Sequence, residues 1–509
     1  MTPPFDFAVL GAGSAGSVIA SRLSEDASCR VVLIEAGHWP DDPDIADPLK
    51  WPALQGRDYD WAYRTTAQSH TANRGHNWPR GKIVGGSSCL HAMAYVRGHA
   101  MDFDNWAEAG GPGWSWQGLL EGFQRAENFV ARGGTGPLDI IEPDGDVSPV
   151  VRAYMAAGQA LGVPIIAGHN GGELIGTTPN ALTLRRGQRL SLAAAYLTSE
   201  VLARPNLTVL TGREIERLAI TGSRATGVLT EHAGIAELIT ADHIVLCAGA
   251  VSSPLILMRS GIGDAATLQR AGIRCLAGLR DVGCNLQDHL LVLGNIYLAR
   301  KAVPPSRLQH SESLMYLASG DLSAKSGPAD IVLACAVAPI AAEGLCAPPY
   351  GTAYSILCGI THPASRGHIA VTGPGRHDAP IIDPHYLESE EDRRGFRAAL
   401  RTARLIGHHA GLDDWRDHEV LPGPSCSSDD ELDAFIARTA STHHHPAGTC
   451  RMGRDRQAVV DPRLRLNGFD NISIVDASIM PTLPSGPINA AVVAIAETWS
   501  RLSREPAVL

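Results

Sequence analysis

A glycine-rich turn, GAGSAG at residues 11–16, stands between a predicted strand and a predicted helix. The apolar run at residues 7–10 comes directly before it, and apolar side chains at helical spacing follow it. This is the G-x-G-x-x-G pattern of dinucleotide-binding folds. In that pattern Gly11 allows the turn, Gly13 lets a pyrophosphate approach the backbone, and Gly16 lets the helix pack on the strand.

A second predicted strand, RVVLIE at residues 30–35, ends in the carboxylate of Glu35. An acidic residue about twenty residues after the glycines accepts a hydrogen bond from a ribose 2′-hydroxyl and repels a 2′-phosphate. The first amides of the helix, with Ser14 and Ala15, would face the phosphates at the positive end of the helix dipole. The sequence therefore predicts a Rossmann-like α/β domain that binds FAD or NAD.

The length and charge of the chain narrow its class further. The chain has 509 residues, which is more than one compact hydrophobic core accommodates, so we expect two or more domains. The formal net charge of −10 disfavours nucleic acids and anionic membrane surfaces as partners. No apolar run approaches the ~20 residues of a membrane helix, and the first strand follows Met1 too closely for a signal peptide. Ten cysteines without a C-x-x-C pair indicate reduced thiols, so we expect a cytoplasmic protein.

A second glycine-rich turn lies in RGKIVGGSSCLH at residues 80–91. Gly85 and Gly86 expose backbone amides, and the two serines that follow add hydroxyls, which suits phosphates or a flat heterocycle. We expect a helix to begin near Cys89. A purely structural turn is the alternative.

Six segments in order resemble the glucose–methanol–choline (GMC) family of FAD-dependent alcohol oxidoreductases. They are GAGSAG with Glu35, RGKIVGGSSCLH, GAVSSPLILMRSGIG at residues 249–263, VGCNLQDH at residues 282–289, HPAGTCRMG at residues 445–453 and VDASIMP at residues 475–481. The resemblance covers nearly the whole chain. It implies FAD rather than NAD, and hydride transfer from an alcohol carbon to flavin N5.

The resemblance also implies which further residues contact the cofactor. They are Gly81, Val84, Gly85, Gly86, Ser87, His91, Ala94, Ile215, Ala248, Asp476 and Asn489. Asp476 would lie near the ribityl chain or the phosphates, with a turn residue as the alternative. Asn489 is open between a helix N-cap, a flavin contact and a substrate contact.

Two positions depart from the family pattern. Leu90 stands where choline oxidases carry the histidine that bonds to the flavin, which implies a noncovalent FAD. His91 stands where an asparagine is common. The resemblance places Pro487 at the position of the family's second catalytic group, and Asn489 follows two residues later.

The histidines of HHHP at residues 443–446 are the predicted catalytic groups. By the resemblance His445 faces the flavin, and His443 is the substitute for the partner that Pro487 cannot supply. Successive side chains of an extended strand point to opposite faces, so His443 and His445 would share one face and His444 would point away. Imidazole, with an unperturbed pKa of about 6.5, suits a base near neutral pH. We expect His445 to take the hydroxyl proton and His443 to orient the hydroxyl or the ring, with both histidines and Pro487 contacting the substrate.

Two imidazoles on one face could instead bind a metal ion. A metal site needs a third ligand and usually a carboxylate behind each imidazole. The sequence shows no such cluster beside these histidines, so we expect no metal.

The whole chain is predicted to be α/β (α+β overall), with a discontinuous Rossmann-like FAD-binding domain and an inserted, mainly β-sheet substrate domain. The insertion is predicted from alternating apolar strands and from a helical period at residues 391–408. No nucleotide-binding motif occurs in this part of the sequence. The predicted FAD-binding segments are residues 1–125, 206–290 and 441–509, and the predicted substrate segments are residues 126–205 and 291–440. Residues 58–80 are either a lid over the cofactor or an ordinary surface loop.

The resemblance implies oxidation of a primary alcohol to an aldehyde, with O2 or another electron acceptor. HHHP together with Pro487 is similar to family members that act on a hydroxymethyl group of a pyridine ring. Aryl alcohols, hydroxymethylfurfural and choline are the alternative substrates. A hydroxynitrile lyase, which keeps FAD only as a structural group, is the alternative from another class. The pattern carries no signal for an oligomeric state.

Overall fold

The computed structural model describes residues 5–143 and 147–504, which form a mixed α/β molecule. Residues 1–4, where we predict that no signal peptide fits, lie outside the described residues, and so does the end of the predicted segment 441–509. None of the helices in the described ranges combines the length and the apolar character that crossing a membrane requires.

The helices and strands are numbered in chain order. The helices are α1 (Ser14–Leu23), α2 (Ala100–Gly110), α3 (Trp116–Ala126), α4 (Pro149–Ala160), α5 (Leu192–Tyr196), α6 (Ser199–Leu202), α7 (Gly249–Arg259), α8 (Ala265–Arg270), α9 (Glu390–Gly407), α10 (Asp429–Thr439) and α11 (Asn489–Leu502). The strands are β1 (Phe5–Leu10), β2 (Val31–Ile34), β3 (Tyr63–Arg64), β4 (Asn77–Trp78), β5 (Glu127–Phe129), β6 (Gly133–Gly134), β7 (Leu138–Ile140), β8 (Gly176–Pro179), β9 (Leu184–Arg185), β10 (Gln188–Arg189), β11 (Leu207–Leu210), β12 (Glu214–Thr221), β13 (Arg224–His232), β14 (Ile235–Leu246), β15 (Leu290–Val292), β16 (Ile296–Ala299), β17 (Ser311–Leu317), β18 (Ile331–Ala336), β19 (Ala353–Ile360), β20 (His368–Ala370), β21 (Ile381–Asp383), β22 (Arg416–Leu421), β23 (Ala440–Thr442) and β24 (Ile472–Ile474).

The first sheet has the strand order β11-β2-β1-β14-β13-β12, and β24 pairs with β14. Its β11, β2, β1, β14 and β24 pair in parallel, and Leu10 is matched with Ile34 on one side and with Leu246 on the other. β2 is buried throughout, which explains its continuous apolar sequence. The predicted Rossmann-like fold is confirmed.

The second sheet is antiparallel, with the order β17-β18-β19-β15-β23, and β16 joins β19 to β22. β18 and β19 are buried along their whole length, and α9 packs against β19. β15 begins directly after His289 and pairs with β23, which ends just before His443. This pairing brings two distant segments of the chain side by side.

The strands of the first sheet come from the predicted FAD-binding segments. The strands of the second sheet come from the predicted substrate segment 291–440, except that β15 begins before residue 291 and β23 continues past residue 440. This distribution supports the predicted division, which stays a prediction. Within residues 58–80, the hairpin β3–β4 carries the buried Trp78, whose indole donates a hydrogen bond to the Tyr386 hydroxyl at 2.9 Å. Trp78 therefore packs this segment on the molecule, and its role as a lid or a surface loop stays a prediction.

Candidate active site

The glycine turn at residues 11–16 joins β1 to α1. Gly11 has φ +99°, and a Cβ there would lie 2.7 Å from the carbonyl oxygen of Cys247. A Cβ on Gly16 would lie 1.8 Å from the carbonyl oxygen of Gly11. The turn therefore requires glycine at both positions, because a side chain at either would meet backbone atoms.

The second glycine-rich turn lies directly against the first. The Gly85 amide donates to the carbonyl of Ala12 at 2.7 Å, and a Cβ on Gly86 would lie 2.6 Å from the Cα of Gly13. The structure thus brings the two glycine turns together, as binding of one cofactor by both would need. The predicted helix start at Cys89 is wrong, because a 3-10 helix runs from Gly86 and ends there.

Glu35 follows β2, and its carboxylate is buried beside the glycine turn. Its Oε2 accepts from the amide of Ala12 at 2.8 Å, and its Oε1 accepts from the amide of Gly37 at 2.9 Å. Burial raises the pKa of Glu35 to about 7, although these hydrogen bonds lower it. A carboxylate offers about four lone-pair sites, so each oxygen keeps a site that a ribose hydroxyl could use. Glu35 also ties the turn to β2, a role that the sequence did not indicate.

Asn489 is the first residue of α11, and Ile488 takes the cap position, so the N-cap alternative is wrong. The Asn489 side-chain amide donates to Ser14 Oγ at 2.9 Å, which joins the N-termini of α1 and α11. Its Oδ1 is buried without a partner in the described structure. A buried acceptor is rarely left unpaired, so this oxygen points to a missing donor.

The Asp476 carboxylate is already saturated by the protein. It accepts from the amides of Gly249 and Ser478, both at 2.8 Å, and from the hydroxyls of Ser253 at 2.6 Å and Ser478 at 2.5 Å. Asp476 is also the N-cap of the short helical turn Ala477–Ile479, so the turn-residue alternative describes its side chain. The predicted contact of Asp476 with the ribityl chain or the phosphates of the cofactor stays a prediction.

The remaining residues of the predicted cofactor set lie near these turns or at strand ends. His91 Nδ1 accepts from the amide of Met93 and from the guanidinium of Arg189, both at 3.1 Å, and burial lowers the pKa of His91 to about 3. The set also includes Gly81, whose amide donates to Ser87 Oγ at 3.2 Å, the buried Val84, the half-buried Ala94, Ile215 in β12, and Ala248 directly before α7. The chemistry of His91 therefore belongs to a neutral imidazole with Nε2 protonated.

The histidine segment is not the extended strand that we predict from the sequence. β23 ends at Thr442, and His444 has a left-handed backbone with φ +66°. The rings of His443 and His445 still meet, with centroids 4.4 Å apart, because the bend at His444 returns the chain to the same side. The carbonyl of His444 accepts a hydrogen bond from the guanidinium of Arg80 at 2.8 Å, and this bond fixes the bend at His444.

A third histidine, His289, sets the protonation of His445. The Nε2 of His289 lies 2.7 Å from the carbonyl oxygen of Thr361, which can only accept, so this nitrogen carries the proton. Burial lowers the pKa of His289 to about 3, so its ring is neutral and its Nδ1 is an acceptor. That Nδ1 lies 3.0 Å from Nδ1 of His445, which must therefore donate. Nε2 of His445 is left with a bare lone pair.

The backbone of His445 is held by a buried carboxylate. Asp288 Oδ1 accepts from the His445 amide at 2.7 Å, and its Oδ2 accepts from the Thr442 hydroxyl at 2.6 Å and from the Tyr386 hydroxyl. Burial raises the pKa of Asp288 to about 6, against the effect of these donors and of the nearby Arg80. Asp288 thus fixes the position of His445 through the main chain.

The three histidines open into one small cavity. Its lining consists of His289, Leu290, Tyr316, Val332, Ile360, His443, His445, Ser485, Gly486 and Pro487. The ring nitrogens of His443 and the hydroxyl of Tyr316 have no hydrogen-bond partner within residues 5–143 and 147–504. Burial lowers the pKa of His443 to about 4, so its ring is neutral. The structure therefore brings His443, His445 and Pro487 together, and their roles toward the substrate stay a prediction.

The loop that carries Pro487 is fixed by Asp102 at the start of α2. Asp102 accepts from the amide of Ser485 at 2.7 Å and from its hydroxyl at 2.9 Å. The same carboxylate lies 2.9 Å from Nε2 of His362. Asp102 thus holds the chain two residues before Pro487, which lines the cavity.

Comparison with known proteins identifies the family. The chain matches GMC oxidoreductases over residues 5–291 and again over residues 363–496. It is a member of the GMC oxidoreductase family. Pyridoxine 4-oxidase of Microbacterium luteolum is 52% identical over 503 residues, which cover 97% of this chain and 99% of that protein. An oxygen-dependent choline dehydrogenase of Yersinia pseudotuberculosis is 37% identical over 532 residues, which cover 97% of this chain and 92% of that protein.

The fold is also that of a solved relative. A crystal structure of pyridoxine 4-oxidase from Mesorbium loti superimposes with a TM-score of 0.96 at 53% identity, covering 98% of this chain and 99% of that chain. The predicted family, fold class and class of alcohol oxidoreductase are confirmed, and the family implies FAD as cofactor.

Sequence reasoning missed several groups of this GMC oxidoreductase. His289 ends the VGCNLQDH segment, and no local pattern there marks it as a partner of His445. Tyr316 lies in β17 and looks like any strand tyrosine. Asp288 and Tyr386 act on His445 from distant parts of the chain, so no local pattern could have joined them.

Proposed function

We propose that this GMC oxidoreductase binds FAD noncovalently and oxidises pyridoxine to pyridoxal, with O2 as electron acceptor and H2O2 as product. The observation that carries the proposal is the bare Nε2 of His445 in a cavity shared with His443 and Pro487. Two relatives of about half-identical sequence are named pyridoxine 4-oxidase, which supports the choice of substrate. We place the enzyme in the cytoplasm and in vitamin B6 degradation.

The residues around the two glycine turns fit FAD. The orphaned, buried Oδ1 of Asn489 needs a donor, and it lies where the N-termini of α1 and α11 meet. Helix N-termini favour the negative charge of a diphosphate or of a reduced flavin. Glu35 keeps free lone pairs for a ribose, and Leu90 offers no nucleophile for a covalent bond to the flavin. When bound, FAD supplies the acceptor for the hydride that leaves the alcohol carbon.

The protein's own part in the reaction is to remove the hydroxyl proton. The alcohol O–H would donate to Nε2 of His445, which takes the proton as the C–H bond breaks and the aldehyde forms. His289 keeps the other proton of His445 on Nδ1, so the base presents its lone pair to the cavity at every turnover. His443, with free ring nitrogens, is placed to orient the hydroxyl.

The lining of the cavity suits a neutral aromatic ring with polar substituents. Leu290, Val332, Ile360 and Pro487 supply apolar surface, and the Tyr316 hydroxyl is free to bond to a ring substituent. Among the described lining residues there is no carboxylate, and Tyr316 is the single aromatic outside the histidines. A quaternary ammonium group favours an aromatic cage, so this lining does not favour choline.

Anaerobic reduction of the bound flavin tests the proposal. The yellow holoenzyme is mixed in separate experiments with pyridoxine, benzyl alcohol and choline, flavin absorbance is followed, and air is then admitted. We expect rapid bleaching with pyridoxine, slower bleaching with benzyl alcohol, none with choline, and recovery of the colour in air.

Each other outcome contradicts one part of the proposal. Faster bleaching by choline or benzyl alcohol would replace the substrate and keep the enzyme class. Bleaching that air does not reverse would replace O2 by another acceptor. A flavin that stays yellow with all three alcohols would favour the lyase alternative.

A further inference from the structure

We propose that His368, Asp383 and His385 bind a divalent transition-metal ion of the zinc class, at a site separate from the residues that line the catalytic cavity. One ligand atom from each of the three side chains lies within 4.8 Å of the others. Two imidazoles and one carboxylate form a donor set typical of Zn²⁺, whereas Mg²⁺ and Ca²⁺ prefer oxygen ligands alone. The inference goes beyond the proposed alcohol oxidation and does not depend on it.

The fold places these three residues on one short hairpin and its continuation. β20 and β21 pair in antiparallel fashion, and His368 lies directly opposite Asp383. His385, two residues beyond β21, has a left-handed backbone with φ +51°. Its ring comes back beside His368, with ring centroids 5.6 Å apart. A non-glycine residue in this conformation is uncommon and is found more often at functional sites.

The hydrogen bonds of His385 leave one nitrogen ready for a metal ion. Its Nδ1 lies 2.9 Å from the carbonyl oxygen of Arg366, which can only accept, so Nδ1 carries a proton. In the neutral ring Nε2 is then bare, and it lies 3.4 Å from Oδ2 of Asp383. Two ligands of a tetrahedral zinc ion, each about 2.0–2.2 Å from the metal, are separated by a distance of this size.

Asp383 is oriented in the same way. Its Oδ1 accepts from the side-chain amide of Gln68 at 2.8 Å, which leaves Oδ2 directed toward His385. Metal-binding carboxylates and imidazoles commonly have such a fixed partner on their far side. The partial exposure of the His385 and Asp383 side chains, 37% and 27%, leaves room for water as a further ligand.

The competing state of the same residues is a protonated His385. An imidazolium would donate to Asp383 from Nε2, and Glu388 lies 3.2 Å from its Nδ1. The two states differ in what they bind, because an imidazolium cannot take a metal ion.

Titration of the FAD-loaded enzyme with ZnCl2, after treatment with a chelator, tests the site. Calorimetry should find one more equivalent of bound Zn²⁺ in the wild type than in His385→Gln, and Zn²⁺ should raise the melting temperature of the wild type more than that of His385→Gln. Gln68→Ala should weaken that equivalent by about 10- to 100-fold, because Asp383 loses its fixed orientation. Zinc that binds to the histidines of the catalytic cavity should bind equally to all variants. It therefore does not contribute to the difference in zinc equivalents between the wild type and His385→Gln.

His418→Gln is the matched control, since His418 is exposed beside Asp417 and should leave the zinc equivalents unchanged. If His385→Gln fails to fold, His368→Gln replaces it, because it keeps the hydrogen bond between His385 and Arg366. Equal zinc equivalents in the wild type and in the folded variant would overturn the proposal. So would a wild type that binds no such equivalent.

Discussion

The glycine turn and the histidine pocket differ in how far along the chain their parts lie. The glycine turn, with Glu35, is built within residues 11–35, where a hydrogen bond across 23 positions joins the Ala12 amide to the Glu35 carboxylate. The histidine pocket, formed by His289, His443 and His445, depends on hydrogen bonds that the carbonyl of Thr361 and the carboxylate of Asp288 accept. One site is set by local backbone geometry, and the other by the pairing of two distant strands.

This difference separates the tasks of the two regions. A local turn can hold a cofactor because glycines and helix amides are fixed by the chain itself. The base His445 keeps Nε2 unprotonated because His289 accepts the proton on its Nδ1, and His289 is in turn fixed by the carbonyl of Thr361. Such a chain of hydrogen bonds requires residues from several elements. Substitutions in the pocket should therefore affect chemistry, and substitutions at the turn should affect binding of FAD.

The largest effect is expected for His445→Ala. Loss of the base should lower the rate of flavin reduction by pyridoxine by roughly 10²- to 10⁴-fold, while FAD stays bound. Anaerobic stopped-flow measures the rate, and the flavin spectrum of the purified variant reports occupancy. A loss of less than about tenfold would remove His445 from the role of base.

His289→Ala tests whether the pocket acts through the protonation of His445. Without the acceptor at His289 Nδ1, the proton of His445 can move to Nε2, so we expect a loss of roughly 10- to 100-fold in kcat with a smaller change in KM. His289→Asn keeps an acceptor near the position of Nδ1 and should recover part of the rate. Equal rates in the alanine and asparagine variants would reduce His289 to a packing residue.

Glu35→Ala should produce the opposite result. Two buried amides, those of Ala12 and Gly37, would lose their acceptor, so we expect FAD to dissociate about 10-fold or more readily. The fraction that holds FAD should be reduced by pyridoxine at the wild-type rate. Titration of the apoprotein with FAD measures the affinity, and the exposed Glu108→Ala is the control. A slower reduction of the loaded fraction would mean that the two regions are not separable.

Tyr316→Phe should have a small and selective effect. Removal of one neutral hydrogen bond should raise the KM for pyridoxine by roughly 2- to 10-fold and leave kcat nearly unchanged. Benzyl alcohol, which has no polar ring substituent, serves as the control substrate, and its KM should not change. The same shift for both alcohols would show that the hydroxyl acts on packing alone.

The smallest expected effect concerns pH, because we expect kcat/KM to stay constant between about pH 8 and pH 6. Burial and the neighbouring histidines hold the pKa of His445 well below its ordinary value, and that of His443 is lowered to about 4. A base with a lowered pKa stays unprotonated as the pH falls, so kcat/KM for a non-ionising aryl alcohol should be level from pH 8 to pH 6. A half-maximal value at pH 6.5 or above would contradict the buried, neutral pocket.

The local parts of the molecule could be predicted from the sequence. Each depends on residues within one turn or one element: the glycine turn, β2 with Glu35, and the helical period at residues 391–408, which corresponds to α9. The proximity of His443 and His445 could also be predicted, but the extended strand proposed for them was wrong, and their catalytic roles stay a prediction. Their meeting depends on the left-handed backbone of His444, which an HHHP sequence does not signal.

The supporting groups of the pocket could not be predicted, because they come together only through tertiary structure. His289 reaches His445 through the pairing of β15 with β23, and Asp288 meets Tyr386 across 98 positions of the sequence. Asn489 was left among three roles, since its neighbour Ser14 lies at the other end of the chain.

The hydrogen bond between Asn489 and Ser14 has a consequence for biosynthesis. The first sheet receives β24 from residues 472–474, and α11 packs on α1, so the N-terminal nucleotide motif is enclosed by the last elements of the described chain. Domains usually fold in order as they leave the ribosome. Here the nucleotide motif must wait for a segment made 475 positions later before it is enclosed, so capture of the FAD that the family implies would be a late event in maturation.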